Sequence, residues 1–387
     1  MLGGTDFRPA SRDKKKENEM ETNERLFSLD ALRGFDMLFL MGLAGIIAET
    51  AVLFSGSPNC WLAQQMHHVD WNGFRQRDTI FPLFLFIAGV AWPFSLAAQL
   101  AKGRMMGAIR LRILKRAAIL ILLGMVYNGI LAFDAAHFRV CSVLGQIGVA
   151  WAGAALAYTV SGVAGRIGFA VAILVAYSVV LLFVPSPLNP DASPLSQDGC
   201  FAWYVNRLLL PGRSGSASFF DPEGVLNAIA AIPTAVLGTL VGDFVRRRDV
   251  TGPRKAALLA TVGMVFALAA WALDGVLPVN KKLWSPTFTL AAGGYSLILF
   301  SLFYWICDVR GWRAWAFPLR VVGMNPITVY LLMRIVPGVV VVKFFLGGIV
   351  AHVPAGPYAN LVLSSGMLAL WWLVLYFLFR KGVFLKV

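Results

Sequence analysis

The chain has 387 residues, 58% apolar and only 14% charged, against about 25% charged in ordinary soluble domains. With 28 Phe and 12 Trp to bury and only 4 Cys, it is neither a water-soluble globule, nor a disulfide scaffold, nor a disordered chain. The net charge of +14 would point to nucleic acid in a soluble protein, but here the basic residues gather in short gaps between apolar runs, as cytoplasmic loops do, and form no face interleaved with aromatics.

In chain order, residues 1–25 are polar, mix basic with acidic side chains and read as a solvated, flexible cytoplasmic tail. The first apolar run begins near Leu32 and continues for a full span, so it is retained rather than cleaved as a signal peptide. Crossing a ~30 Å hydrocarbon core takes roughly 20 mostly apolar residues. Such runs fall at 32–54, 80–101, 112–133, 140–160, 166–184, 225–245, 255–273, 287–306, 317–336 and 361–380. The expectation is therefore an all-α integral membrane protein, a polytopic bundle of about ten transmembrane helices spanning residues 26–387. The run 337–350 is short and interrupted by glycine, and reads as a re-entrant or interfacial piece. Basic residues cluster at 102–116, 246–255, 310–320 and 380–386, which places both termini inside and the longer loops 55–79 and 185–224 outside.

Loops held by a helical frame commonly carry function. The histidines are His67, His68, His137 and His352. His67 and His68 lie in MHHVDWNGFRQRDTIFP, where an imidazole could take a proton from an attacking amine or hydroxyl; a polar loop without a role is the bland alternative. Asp78 in the same segment could orient the histidine, or simply cap the following helix, and spacing alone favours the cap. In RLFSLDALRGFD, Arg33 could hold a phosphate at the inner mouth, or pair with Asp30 at i, i+3.

Glu49, Arg116, Asn128, Arg139, Gln146, Asn227, Asn325 and Arg334 lie within or at the rims of spans. They should face the bundle interior, as a pathway or as helix-to-helix hydrogen bonds. No metal motif, Walker loop or dinucleotide fingerprint is present, so no metal is expected. Cys60 and Cys200 both fall in outer loops and could pair in an oxidising compartment.

Six segments in order, SLDALRGFD at 28–36, HxxWNGxxxxDxIFPxFLFIxGV at 68–90, RVCSVLGQIG at 139–148, FDPEGVLNAI at 220–229, PVNKKLWS at 278–285 and GMNPITVY at 323–330, together resemble the heparan-alpha-glucosaminide N-acetyltransferase family. The resemblance implies a multi-pass enzyme that takes acetyl from cytosolic acetyl-CoA and delivers it to a terminal glucosamine across the membrane. It puts the active-site histidine on His68 and the motif's acidic residue on Asp78. Trp71, Asn72, Glu223 and Asn325 become the expected acceptor contacts. Arg33, Arg112, Lys115, Arg116, Arg139 and Arg247 become the expected donor contacts, and Gln146 falls on a further motif position.

Lysosomal members carry a luminal domain and an extra span before LDALRG. Their absence here implies ten spans in a bacterial inner membrane, with the outer loops in the periplasm and free glucosamine, a small amino-sugar oligomer or an envelope glycan as acceptor. A homodimer is implied by resemblance only. The competing readings are an amino-sugar permease with a midplane site and an O-acetyltransferase of envelope polysaccharide. His68 would serve either as base or as acetyl carrier.

Overall fold

The computed structural model describes residues 26–134, 138–216 and 219–385. The expected tail at 1–25 and His137 lie outside the described residues. In hydrocarbon every backbone N–H and C=O must be satisfied internally, and the described chain meets this with helices throughout, its only strand-like pairing being an isolated bridge between Pro185 and Cys200.

Among the described residues, eight helices are long and apolar enough to cross a membrane. They are α1 (Phe27–Ser55), α3 (Ile80–Ala101), α5 (Val143–Val160), α6 (Val163–Phe183), α8 (Val225–Arg246), α9 (Gly252–Leu273), α10 (Pro286–Val309) and α14 (Pro357–Arg380). Between them come the short helices α2 (Trp61–Gln65) and α7 (Phe201–Leu209).

Three expected features take a different form. The run at 112–133 lies in helix α4 (Met106–Tyr127), whose first half carries Arg110, Arg112, Lys115 and Arg116 and so falls short of a plain apolar span. The span at 317–336 is broken: α11 (Ala314–Gly323) and α12 (Pro326–Ile335) meet at a 58° bend. Pro326, at the start of α12, has no N–H to continue the ladder, which sets the break there. The run at 337–350 is a single short apolar helix, α13 (Gly338–His352), lying against α14.

Two close approaches set the frame. Where α3 crosses α8, a Cβ on Gly89 would collide with Ala235 O and one on Gly238 with Phe86 O, so the backbones touch directly. Within α1 the stretch Phe39–Leu43 opens into a π-turn at Gly42, φ +146°, where α14 passes close enough that a Cβ would lie 2.5 Å from Ser364 O. The core beneath the long loops is aromatic: Trp284 is fully buried, its ring 4.9 Å from Phe81 and 5.2 Å from Phe288.

Successive spans alternate direction, so the loops 56–79, 184–224 and 274–285 share one end of the bundle, the loop face. Short connections at 102–105, 247–251 and 310–313 share the other, the basic end. There the Asp308 carboxylate accepts from Phe27 N at 3.1 Å and Ser28 N at 3.2 Å, tying the end of α10 to the start of α1.

All four cysteines are free thiols, so the expected Cys60 to Cys200 bridge is not formed. Cys60 packs with Phe39, Ala63 and Met66, whereas Cys200 is buried in the separate cluster around Trp284 and Phe288.

Candidate active site

The loop between α2 and α3 is drawn onto the loop 274–285. Gly73, at φ +125°, donates its N–H to Val279 O at 2.7 Å, and Asn280 Nδ2 donates to Asn72 Oδ1 at 2.9 Å. The second loop is itself fixed by Asp274, Asn280 and Ser285, whose side chains accept from Val279 N, Leu283 N and Asn280 N. Trp71 Nε1 donates to Leu195 O at 2.8 Å and its ring meets Phe220 edge-on at 5.3 Å. Trp71 and Asn72 thus lock three loops together, with Trp71 Nε1 and Asn72 Oδ1 occupied in doing so.

This frame brings His68 Nδ1 to 2.7 Å from Asp78 Oδ1. The Asp78 side chain is 1% exposed and that of His68 52%, so the carboxylate is a buried anchor and the imidazole reaches solvent. The alternatives for Asp78 are resolved by its contacts. No side chain caps α3, which starts after Thr79; the second Asp78 oxygen takes Val69 N at 3.4 Å. Asp78 orients the histidine segment instead.

Lys281 closes the group, with Nζ 3.3 Å from Asp78 Oδ1 and 3.2 Å from His68 Nδ1. Burial alone would raise the Asp78 carboxyl, but the His68 hydrogen bond and the Lys281 charge outweigh it and hold the group below the usual carboxylate range. Burial lowers the Lys281 ammonium, with Asp78 opposing. His67 is exposed beside the site, and His352 lies on α13 bonded to Gly348 O at 2.7 Å.

A second cluster stands on the same face. Arg139 donates to both oxygens of Asp221, at 2.9 Å from Nε and 2.5 Å from Nη2, and also pairs with Glu223. Asp221 is fully buried and takes Ser214 Oγ at 2.7 Å as well. Asn227 Nδ2 donates to Lys282 O and Pro222 O, and Gln146 Nε2 donates to Asn227 O at 3.2 Å, joining this cluster to the loop that carries Lys281. Gln146 Oε1 and Asn227 Oδ1 are buried without a partner among the described residues.

No protein-family model matches the sequence. Over 98% of its length the chain is 25% identical to the heparan-alpha-glucosaminide N-acetyltransferase of Mus musculus, covering 63% of that protein. The same enzyme of Homo sapiens is 24% identical over 94% of this chain and 60% of its own length. The chain resembles an N-acetyltransferase along nearly its whole length. It spans about three fifths of the length of these curated relatives.

The remaining expected residues divide between the two ends. Arg139 belongs to the loop face, fully engaged by two carboxylates, and therefore sits away from the other expected donor contacts. Asn325 lies at the opposite end from His68: its Nδ2 donates to Val383 O at 2.8 Å and its Oδ1 accepts from Leu385 N at 3.1 Å, just past the end of α14. Its amide is spent holding the C-terminal segment, so it is not an acceptor contact beside the histidine. Glu223 stays on the loop face, but bound to Arg139.

Of the basic set, Arg33 pairs with Asp30 at 3.3 Å, and its charge acts on Arg116, which lies over the Trp151 ring at 4.2 Å with its Nε buried and unpartnered. Arg112 and Lys115 are exposed on α4, Arg112 reaching Gln99 Oε1 at 3.5 Å. Arg247 is exposed and paired with Asp249. Sequence reasoning did not single out Lys281, Asn280 or Asp221. All three lie in the quoted segments PVNKKLWS and FDPEGVLNAI, which was the available signal.

Proposed function

We propose that the chain is a transmembrane N-acetyltransferase that takes acetyl from acetyl-CoA at the basic end and delivers it to the amine of an amino sugar, such as glucosamine, at the loop face. The observation that carries this reading is the 2.7 Å contact between the half-exposed His68 and the buried Asp78, set within a sequence similar to an acetyltransferase along almost its full length.

A buried carboxylate on Nδ1 fixes the tautomer with Nδ1–H donating, which leaves the Nε2 lone pair toward solvent. From there two balanced routes are open. In one, Nε2 takes the proton of the amine while its nitrogen attacks the thioester carbonyl, the C–S bond breaks and the CoA thiolate leaves. In the other, Nε2 attacks first, forming an acetyl-imidazole and releasing thiolate; the amine then attacks the acetyl carbon, the C–Nε2 bond breaks, and the freed Nε2 takes the amine's proton.

The phosphates of the donor are too charged for hydrocarbon and stay at the basic end. Two guanidinium groups sharing one region, Arg33 and Arg116, match the demand of such an anion. Arg112, Lys115 and Arg247 supply a solvated basic rim. In a bacterial inner membrane this end would face the cytoplasm and the loop face the periplasm.

The test is transfer of label from acetyl-CoA to glucosamine by the full chain in detergent, comparing wild type with His68→Ala and Asp78→Asn. Label on the sugar amine that disappears with His68, in protein that still elutes as a folded species, supports the reading. Transport of sugar without acetylation and without dependence on His68 would replace it with a permease.

A further inference from the structure

Lys281 takes no part in the transfer routes above, yet its ammonium touches both members of the His68 and Asp78 pair. At 2.7 Å, Nδ1 and Oδ1 share one proton, and in the neutral ring it belongs to Nδ1. Lys281 then has no acceptor on Nδ1 and donates to Asp78 Oδ1, which receives hydrogen bonds from two sides and is fixed between them.

The charges matter as much as the geometry. An anion held against Nδ1 favours the imidazolium, and an imidazolium has no lone pair at Nε2 with which to take a proton or attack a carbonyl. A cation 3.2 Å from the same nitrogen acts in the opposite sense.

We propose that Lys281 is a positioning residue for His68: by holding Asp78 Oδ1 and offsetting its charge, it keeps the ring neutral with Nδ1–H on Asp78 and Nε2 free. This rests on His68 acting as base or acetyl carrier. Other charged and titratable groups surround the ring. Arg75 donates to His68 O at 3.2 Å, Arg77 donates to Met66 O at 3.4 Å beside Asp78, and Lys282 stands 6.0 Å above the Trp71 ring. His67 and Asp70 flank the histidine in sequence, and Asp274 is engaged by Val279 N. Of the contacts to Nδ1 among the described residues, those from Asp78 and Lys281 are the charged ones.

The test reads the ring directly as well as through transfer. In a His67→Gln background, the full chain in detergent is treated with diethyl pyrocarbonate, which modifies the unprotonated imidazole, between about pH 5 and pH 8, and modification of His68 is counted by peptide mass spectrometry. Lys281→Met and Lys281→Gln should each move the midpoint upward by about one pH unit. The acid limb of acetyl transfer should follow, while Lys281→Arg keeps the wild-type midpoint. A midpoint unmoved in both neutral variants, or moved as far by Lys281→Arg, overturns the proposal. If the midpoint moves as expected and wild type transfers no acetyl group, the role of Lys281 in tuning the ring stands and the acetyltransferase reading falls.

Discussion

The two ends of the bundle both pair carboxylates with donors, and they differ in the cations left beside those pairs. At the loop face carboxylates meet hydrogen-bond donors at close range: the buried Asp78 with His68 and Lys281, the buried Asp221 and the partly buried Glu223 with Arg139. At the basic end Arg33 with Asp30, Arg166 with Asp243 and Arg247 with Asp249 are paired too, but further cations stand beside them: Arg116 Nε is buried without a partner among the described residues, and Arg112 and Lys115 are exposed. The difference teaches what each end is built for. A set of groups that satisfies itself is preorganised and needs no reorganisation when a reaction begins, whereas cations beyond the paired ones can take an anion from outside.

The sharpest way to break this contrast is to remove His68. His68→Ala should lower transfer by about a thousandfold, within the range of a lost general base, and Asp78→Asn by about a hundredfold, since the ring survives but loses its anchor. Rates with labelled acetyl-CoA check both, and an Asp78→Asn rate equal to wild type would reduce that contact to scaffolding.

Next in size is Arg139. Arg139→Met leaves Asp221, fully buried, without its bidentate partner, a change expected to cost about 3–5 kcal/mol. It should be seen as a fall in the temperature at which the protein leaves the monodisperse peak, whereas Arg247→Ala, which removes an exposed pair, should leave that temperature unchanged. Equal effects would erase the distinction between the two ends.

Asp78 also predicts how the loop face responds to acid. Its carboxyl is held below the usual range in the folded state, so it contributes stability that is present above an unfolded value of about 4 and is lost as pH falls through the lower folded value. The melting temperature should therefore drop on acidification, and in Asp78→Asn the part of that drop due to this group should vanish. An identical acid response in the variant would assign the effect to other carboxylates.

The helical frame was legible in the sequence because a run of 20 apolar residues has one physical outcome in hydrocarbon. The pairing of His68 with Asp78 was legible in part. Ten residues of spacing fit a cap as well as an orienter, and the choice depended on Gly73 and Asn72 docking onto the loop at 279–280, a contact more than 200 residues away. Lys281 reaches the site through that same docking, so no local pattern could reveal it. Arg139 and Asn325 were grouped by residue type, but type does not say which end of a helix a side chain occupies or whether a distant carboxylate or carbonyl has already claimed it.

The smallest expected effects concern the donor, and Arg116 separates them most clearly. Its guanidinium is partly buried, exposed to the charge of Arg33 and unpartnered at Nε among the described residues, with the Trp151 ring as its compensating contact. Arg116→Met removes the charge, and with it the contact of the guanidinium with the Trp151 ring. Before donor is added, the variant should melt close to the wild-type temperature, because the lost ring contact offsets the relief of removing a partly buried charge. Its affinity for CoA should fall by roughly tenfold, the scale of one lost charge-assisted hydrogen bond, while Arg247→Ala should stay within about twofold because its charge is screened by solvent and by Asp249. Calorimetric titration of CoA into each variant checks the order, and a lower melting temperature with unchanged CoA affinity in Arg116→Met would show that this guanidinium serves packing rather than the anion.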